Sequence, residues 1–226
     1  MYVPNSNPNS IDDKDAMAVC IPPLEYYFGL KEFGSRGTKE IKKEEWDIVI
    51  YEAKKFVGLL AKGNPNVLSL LWLEENHYIH KSDAGEFLIH NRDLFVNKSV
   101  YKSFTGYAHA QLHKMTHLSF EGYMGEKRKK LVGKFGYDTK NAAHLIRLMR
   151  MCIEFLNDGF LYVQRDDASQ LLQIKNGDWE LERVKEEANR LFKLADEAYL
   201  KSKLPAKPDM DRVNKMCVEM IKLHGQ

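Results

Sequence analysis

The sequence predicts an α+β protein, with a small mixed β-sheet near the N-terminus and a helical C-terminal half. Two apolar runs of strand length, residues 16–21 and 46–51, fall within the first third of the chain. From Ser82 onward, apolar residues recur at the spacing of amphipathic helices. We therefore expect a sheet-and-helix domain over residues 1–75 and a helical domain over residues 76–226 that closes a cleft.

The composition is typical of a globular protein and excludes several classes. Hydrophobic residues make up 44% and charged residues 29% of the 226 residues. No apolar run approaches the length of a membrane span, and the first ten residues lack the pattern of a signal peptide. Three scattered cysteines predict free buried thiols, which indicates a reducing cytoplasm. Because no apolar run is long enough to span a membrane, we expect no membrane partner. The net charge of +2 argues against polyanion binding through bulk charge alone.

The first third of the chain divides into short elements. Residues 16–21 are interpreted as a buried strand that ends at Pro22, and residues 46–51 as a second strand. The Gly-rich segment 34–39 between them predicts a loop or hairpin tip. Residues 52–62 predict a helix, and Asn66 is expected to cap a further apolar element over residues 67–73. The core-facing residues of the predicted helix are Ala53, Phe56, Val57, Leu60 and Ala61.

The remaining chain predicts helices that begin at polar caps. One long helix should start at Asp138 or Thr139 and end before Gly159, a residue that suits a helix C-terminus. The other predicted helices span approximately residues 82–91, 99–118, 180–202 and 209–223.

Three aspartates form the first candidate site. Asp13 and Asp15 are two residues apart before an apolar strand, so they would share one face, and Asp47 opens the second strand. Three carboxylates at neighbouring strands could hold two Mg²⁺ ions, or Mn²⁺ in their place. The alternative is that the Asp-rich segment forms a turn and that Asp47 pairs with Lys42 or Lys43 at the surface.

A basic helix face forms the second candidate site. Lys140, His144 and Arg147 follow at i, i+4 and i+7 and would form one polar stripe. Residues 124–150 contain eight Lys and Arg against two acids, a local charge of +6 that suits a triphosphate or a nucleic-acid backbone. A solvated charged face is the alternative, especially for residues 127–130. Opposite the stripe, the predicted core residues are Leu145, Leu148, Met149, Cys152 and Leu156.

Three histidines on one predicted helix are a weaker candidate. His109, His113 and His117 recur every four residues, a spacing that can bind zinc and would support a zinc hydrolase. They lack the intervening Glu of the H-E-x-x-H pattern and a nearby cysteine. A polar stripe that lines a groove together with Tyr107 and Gln111 is the favoured interpretation.

Four stretches resemble a known family. They are IDDKDAMAV, WDIVIYEAKKFVGLLAKGNPNVLSLLWL, SFTGYAHAQLHKM and YDTKNAAHLIRLMRMCIEFLNDG. Together they resemble nucleotidyltransferases of the DNA polymerase β superfamily, in the RNA-repair-associated branch of bacteria and phages. The resemblance extends over residues 1–203, with KGNPN and the YDTK…HLIR string as its most specific parts.

The resemblance implies a reaction and a set of residues. It implies Mg²⁺-dependent transfer of a nucleotide from an NTP, such as ATP, to a hydroxyl, with an RNA or tRNA end as the favoured acceptor. Asp13, Asp15 and Asp47 would be the catalytic metal ligands. The nucleotide or acceptor would be contacted by Lys62, Asn64, Tyr137, Lys140, His144 and Arg147.

One departure from the family pattern supports an alternative. The pattern places a Gly-Ser phosphate turn a short distance before the Asp-x-Asp pair, and this chain begins inside that motif. We therefore expect an N-terminally trimmed nucleotidyltransferase sheet. The alternative function is a catalytically inactive nucleotide- or RNA-binding protein of phage or bacterial origin.

Overall fold

The computed structural model of the chain describes residues 14–116 and 126–224 and confirms the α+β class. The described residues pack into two units. The sheet unit comprises residues 14–95 and 208–224, and the helical unit comprises residues 96–116 and 126–207. The domain boundary near residue 76 stays a prediction, whereas packing divides the described chain after Phe95 and after Lys207.

A three-stranded mixed sheet forms the centre of the sheet unit. Its strands are β1 (Lys14–Cys20), β2 (Thr38–Lys43) and β3 (Trp46–Glu52). In the order β1-β3-β2, β1 pairs with β3 in parallel and β2 pairs with β3 antiparallel. The sequence predicts β1 and β3 but misses β2, whose Thr-Lys-Glu-Ile-Lys-Lys sequence has a single large apolar residue.

The prediction that residues 16–21 form a buried strand is wrong as to burial. Met17 and Val19 expose 41% and 39% of their surface. The apolar run does form a strand, but β1 lies at the edge of the sheet, where it has one neighbouring strand among the described residues. An edge strand keeps more of its side chains in contact with water than a central strand does.

Helices complete the sheet unit. The helices are α1 (Glu25–Phe28), α2 (Ala53–Ala61), α3 (Pro65–Leu68), α4 (Asp83–His90) and α10 (Met210–His224), with short 3₁₀ turns at Ser69–Trp72, Glu75–His77 and Arg92–Phe95. The Glu52 carboxylate caps α2 by accepting hydrogen bonds from the backbone amides of Lys54 and Lys55. The five apolar residues predicted for the core face of α2 are all buried.

The predicted cap of the next helix is wrong by two residues. Asn64, rather than Asn66, caps α3, and its side chain accepts a hydrogen bond from the Asn66 amide at 3.0 Å. Pro65 occupies the first helical position, where its fixed φ and missing amide hydrogen are tolerated. The cap is therefore the residue that precedes the proline.

The helical unit is built around one long helix. Its helices are α5 (Ser99–Thr116), α6 (Glu126–Phe135), α7 (Thr139–Asp158), α8 (Ala168–Asn176) and α9 (Leu181–Lys201). Helix α7 packs against α5, α8 and α9, and its predicted core residues are buried. Asp138 caps its start and Gly159, at φ +67°, ends it in the left-handed conformation, as the sequence predicts.

Two helices of this unit, α6 and α8, are not among the predicted ones. Helix α6 is rich in lysine, and α8 is only nine residues long and has no side-chain cap. Within the described ranges, no helix combines the length and the apolar character needed to cross a lipid bilayer.

Candidate functional site

Two of the three predicted aspartates lie side by side in the sheet. Asp15 on β1 and Asp47 on β3 are direct partners in the parallel register. Because strands in a sheet are about 5 Å apart and paired residues point to the same face, the two carboxylates project from neighbouring positions. Asp13 lies outside the described residues, so the structure brings together Asp15 and Asp47 and says nothing of the third acid.

A lysine extends this row across the sheet. Lys42 on β2 is the register partner of Asp47, and its Nζ lies 3.3 Å from Asp47 Oδ2. The pairing of Asp47 with Lys42, which the sequence analysis gives as the alternative, is therefore present. Both side chains are exposed, by 39% for Asp47 and 76% for Lys42, and an ion pair of this kind contributes little stability.

The donor chemistry of this row fits a hard divalent cation. Asp15 and Asp47 offer carboxylate oxygens, which Mg²⁺ and Mn²⁺ prefer, and Mg²⁺ commonly uses one or two protein carboxylates with water and phosphate oxygens. Among residues 14–116 and 126–224 no cluster of three or more His, Cys, Asp or Glu side chains could hold a metal. Two carboxylates are therefore the ligands that the described chain would supply.

The predicted polar stripe is present on α7 in the helical unit. Lys140 is exposed, whereas His144 and Arg147 are partly buried. An Arg147 guanidinium nitrogen lies 3.0 Å from His144 Nδ1. Burial lowers the pKa of His144 to about 4, and the positive charge of Arg147 acts in the same direction. His144 is thus neutral near pH 7 and can accept a hydrogen bond from Arg147.

Three other predicted contact residues lie at or near the ends of helices. Tyr137 is 1% exposed, and its hydroxyl donates to the Trp179 carbonyl oxygen at 2.5 Å. Asn64 caps α3, and Lys62 is the exposed residue that follows α2. The Tyr137 side chain is committed to packing within the helical unit, which is a role that its position in a motif does not reveal.

One of the three histidines predicted as a polar stripe contacts an aromatic ring of a neighbouring helix. The His109 ring stacks on Phe192 with the ring centroids 4.2 Å apart. His113 is exposed, and His117 lies outside the described residues. The stacking gives His109 a packing role on the surface of α9.

An ion-pair network in the helical unit was not predictable from the sequence. Arg165 is 8% exposed and bonds the carboxylates of Glu154 and Asp167. Arg150 bonds Asp167 at 2.7 Å and Glu187 at 3.1 Å. These partners come from α7, α9 and the segment between α7 and α8, so no local sequence signal indicates the network.

A cavity of about 400 Å³ lies beside this network, with Tyr162 and Gln164 on its wall. The two arginines that line it, Arg150 and Arg165, are both paired with carboxylates. Their charges are thus already balanced, so the cavity has less to offer an anion than the stripe on α7.

Comparison with known proteins identifies a family. A protein-family model, RlaP, matches residues 8–219 and describes the RNA repair pathway DNA polymerase beta family. The match covers nearly the whole chain and includes all the candidate residues named above. No curated protein and no solved structure matches the chain significantly.

Proposed function

The chain belongs to the RNA repair pathway DNA polymerase β family, and we propose that it transfers a nucleoside monophosphate from an NTP to a hydroxyl of an RNA or tRNA end. The family supports a nucleotidyltransferase-like role in RNA repair, with nucleotide and RNA as partners and a divalent metal as cofactor. The observation that carries the finer proposal is the register pairing of Asp15 with Asp47 on one face of the sheet.

In this proposal the two carboxylates share a metal ion, and Asp47 has a second task. Asp15 and Asp47 would together hold Mg²⁺, and Asp13 is proposed as a third ligand. A bound Mg²⁺ supplies charge neutralisation at the phosphates and acidifies the acceptor hydroxyl. The acceptor oxygen forms a bond to the α-phosphorus while the bond to pyrophosphate breaks, and Asp47 takes up the hydroxyl proton.

The helical unit would supply the positive charge that the substrates need. Lys140 and Arg147 are proposed to face the phosphates of the nucleotide or of the acceptor with their positive charges, and His144 to face the same ligand as a neutral hydrogen-bonding group. Guanidinium and ammonium groups are the side chains that neutralise phosphate charge during phosphoryl transfer.

Transfer from a labelled NTP tests the proposal. The full chain is incubated with each α-³²P-labelled NTP, Mg²⁺ and short RNAs with a free 3′ hydroxyl. We expect Mg²⁺-dependent labelling of RNA that falls by about a hundredfold or more in Asp15→Asn and Asp47→Asn, because each change removes a charged metal ligand. Glu74→Gln, an exposed acid elsewhere in the sheet unit, should retain full activity. Wild-type labelling no greater than that of Asp15→Asn would refute the proposal.

The alternative function is a non-catalytic nucleotide- or RNA-binding protein. The ion pair between Lys42 and Asp47 favours it, because the lysine already offsets the negative charge of Asp47. RNA binding that is unchanged by EDTA and by Asp47→Ala, together with the absence of transfer, would support this alternative over the first.

A further inference from the structure

The cavity in the helical unit has a wall that the proposed reaction does not use. Its volume of about 400 Å³ is within the range of small ligand sites. Tyr162, Gln164 and Asp166 line it from the segment between α7 and α8. All three side chains are exposed, so a ligand in the cavity can contact each of them.

Burial alternates along this segment, in which residues 160–166 form neither helix nor strand. Every second side chain is exposed, and the exposed ones are Phe160, Tyr162, Gln164 and Asp166. Between them, Leu161 and Arg165 are buried. Side chains that alternate in this way lie on opposite faces of the chain. The outer face therefore presents two aromatic rings, an amide and a carboxylate on one side.

Arg165 holds this segment in place from its buried side. Its guanidinium donates to the carboxylates of Glu154 and Asp167 and, at 3.4 Å, to the carbonyl oxygen of Tyr162. The backbone at Tyr162 is thereby tied to α7 and to the residue before α8. The rings of Phe160 and Tyr162 are in contact, with their centroids 5.0 Å apart. The outer face is therefore built before any ligand arrives.

The charges around the cavity favour a cation. Arg150 and Arg165 line it, but both already bond carboxylates. Asp166 also lines it, and in the described part of the chain it forms no ion pair. The same holds for Asp158, the last residue of α7, at a helix end that carries partial negative charge and has no basic residue in its last turn. A positively charged group would offset these charges.

We propose that this cavity, together with the outer face of residues 160–166, binds an arginine side chain of a protein partner. A planar guanidinium can stack on the exposed ring of Tyr162 while it donates hydrogen bonds to the Asp166 carboxylate. The amide oxygen of Gln164 accepts a further hydrogen bond. The proposal goes beyond nucleotidyl transfer and does not depend on it.

The surroundings of the cavity indicate a protein as the source of the arginine. Phe160 is 39% exposed and contacts Tyr162, yet it lies outside the cavity wall. An apolar residue next to the arginine in a peptide would cover this ring, which a free amino acid would leave in water. An RNA strand fits less well, because its phosphates would approach the carboxylates of Asp158 and Asp166.

Binding of a labelled peptide tests the proposal. The full chain is titrated in EDTA with a short fluorescein-labelled peptide that has one arginine between two leucines. A second peptide contains citrulline, which keeps the shape of arginine but has no charge. We expect fluorescence anisotropy to show that the arginine peptide binds at least about tenfold more tightly. Equal binding of the two peptides, or no binding of either, would overturn the proposal.

Substitutions in the outer face locate the bound peptide. Tyr162→Leu should weaken binding by about three- to thirtyfold, because it removes the stacking ring. Asp166→Asn should weaken it by about three- to fivefold, as expected for an exposed charge. Tyr162→Phe keeps the ring, and Asp178→Asn changes an exposed acid elsewhere in the helical unit, so both controls should bind as the wild type does. Unchanged binding in Tyr162→Leu and Asp166→Asn would refute the site.

Two further ligands test the nature of the partner. Arginine amide should bind at least about tenfold more weakly than the peptide, because it leaves Phe160 uncovered. Equal affinity would overturn the assignment to a protein. Single-stranded RNA should bind Tyr162→Leu as it binds the wild type, and a loss of RNA binding with peptide binding retained would assign the face to RNA instead. Asp15→Asn should leave peptide binding unchanged, so this proposal and the transfer reaction can fail separately.

Discussion

At the scale of residues, the two proposed metal ligands and a lysine form one row across the sheet. Asp15, Asp47 and Lys42 are neighbours on three adjacent strands. Two like charges directly opposite each other are destabilising in a sheet, and a cation beside them offsets part of that repulsion. In the described chain Lys42 is that cation, and a divalent metal would compete with it for Asp47.

Lys42→Met tests this competition. We expect Mn²⁺ to bind the variant up to about fivefold more tightly, because an exposed ion pair contributes at most about 1 kcal/mol that the metal no longer has to overcome. Free Mn²⁺ measured by electron paramagnetic resonance during a titration gives the affinity. Lys43→Met is the control, since Lys43 pairs with Trp46 and projects from the other face. An equal gain in affinity in both variants would mean that general charge, rather than the contact with Asp47, is responsible.

At the scale of elements, Arg165 connects the segment between α7 and α8 to helix α7. It contacts Glu154 on α7 and Asp167 before α8, and Arg150 connects Asp167 to Glu187 on α9. Burial alone would raise the pKa of Asp167, but the hydrogen bonds from Arg165 and Arg150 outweigh it and lower the pKa. Hydrogen bonds from Arg190 and Arg150 likewise lower the pKa of Glu187.

These lowered pKa values predict how stability depends on pH. A carboxylate with a depressed folded-state pKa stabilises the protein above its unfolded pKa, about 4, and that contribution is lost as the pH falls further. Arg165→Met should cost about 2–4 kcal/mol of unfolding free energy at pH 7, somewhat less than for a fully buried pair. It should also weaken the loss of stability below pH 4. Urea unfolding between pH 3 and 7 measures both effects.

Arg190→Met is the control for this prediction. Arg190 also bonds a carboxylate, that of Glu187, but its side chain is 59% exposed. An exposed pair of this kind contributes at most about 1 kcal/mol. Equal destabilisation by the two substitutions would contradict the role of Arg165 as the buried centre of the network.

An element of this fold can be predicted from the sequence when the interactions that determine it are local. The limits of α7 are predictable because the Asp138 cap and the left-handed Gly159 act within one turn of the helix. Strand β2 and helix α6 are not predictable, because polar elements with few apolar residues are stabilised by their neighbours. Helix α8 is short and has no side-chain cap that would mark its start. The network of Arg165 and Arg150 joins residues from α7, α9 and the segment between α7 and α8, and no spacing in the sequence encodes it.

At the scale of the whole molecule, the two units carry different halves of the proposed chemistry. The sheet unit holds Asp15 and Asp47 in register, and the helical unit holds the polar stripe on α7. The acids were predictable as neighbours because both begin strands, whereas their direct register is a property of the folded sheet. Arg150 bonds two carboxylates, whereas Arg147 contacts His144, and this difference also depends on packing, because both are arginines on one helix.

The measurement that tests the central claim most directly is a double-mutant cycle on Mn²⁺ affinity. The cycle compares wild type, Asp15→Asn, Asp47→Asn and the double variant by titration calorimetry, with Glu74→Gln as the control. If both carboxylates hold the same ion, each single substitution should remove most of the binding and the double substitution should add little more. Single substitutions that leave Mn²⁺ affinity at the level of the control would contradict the account.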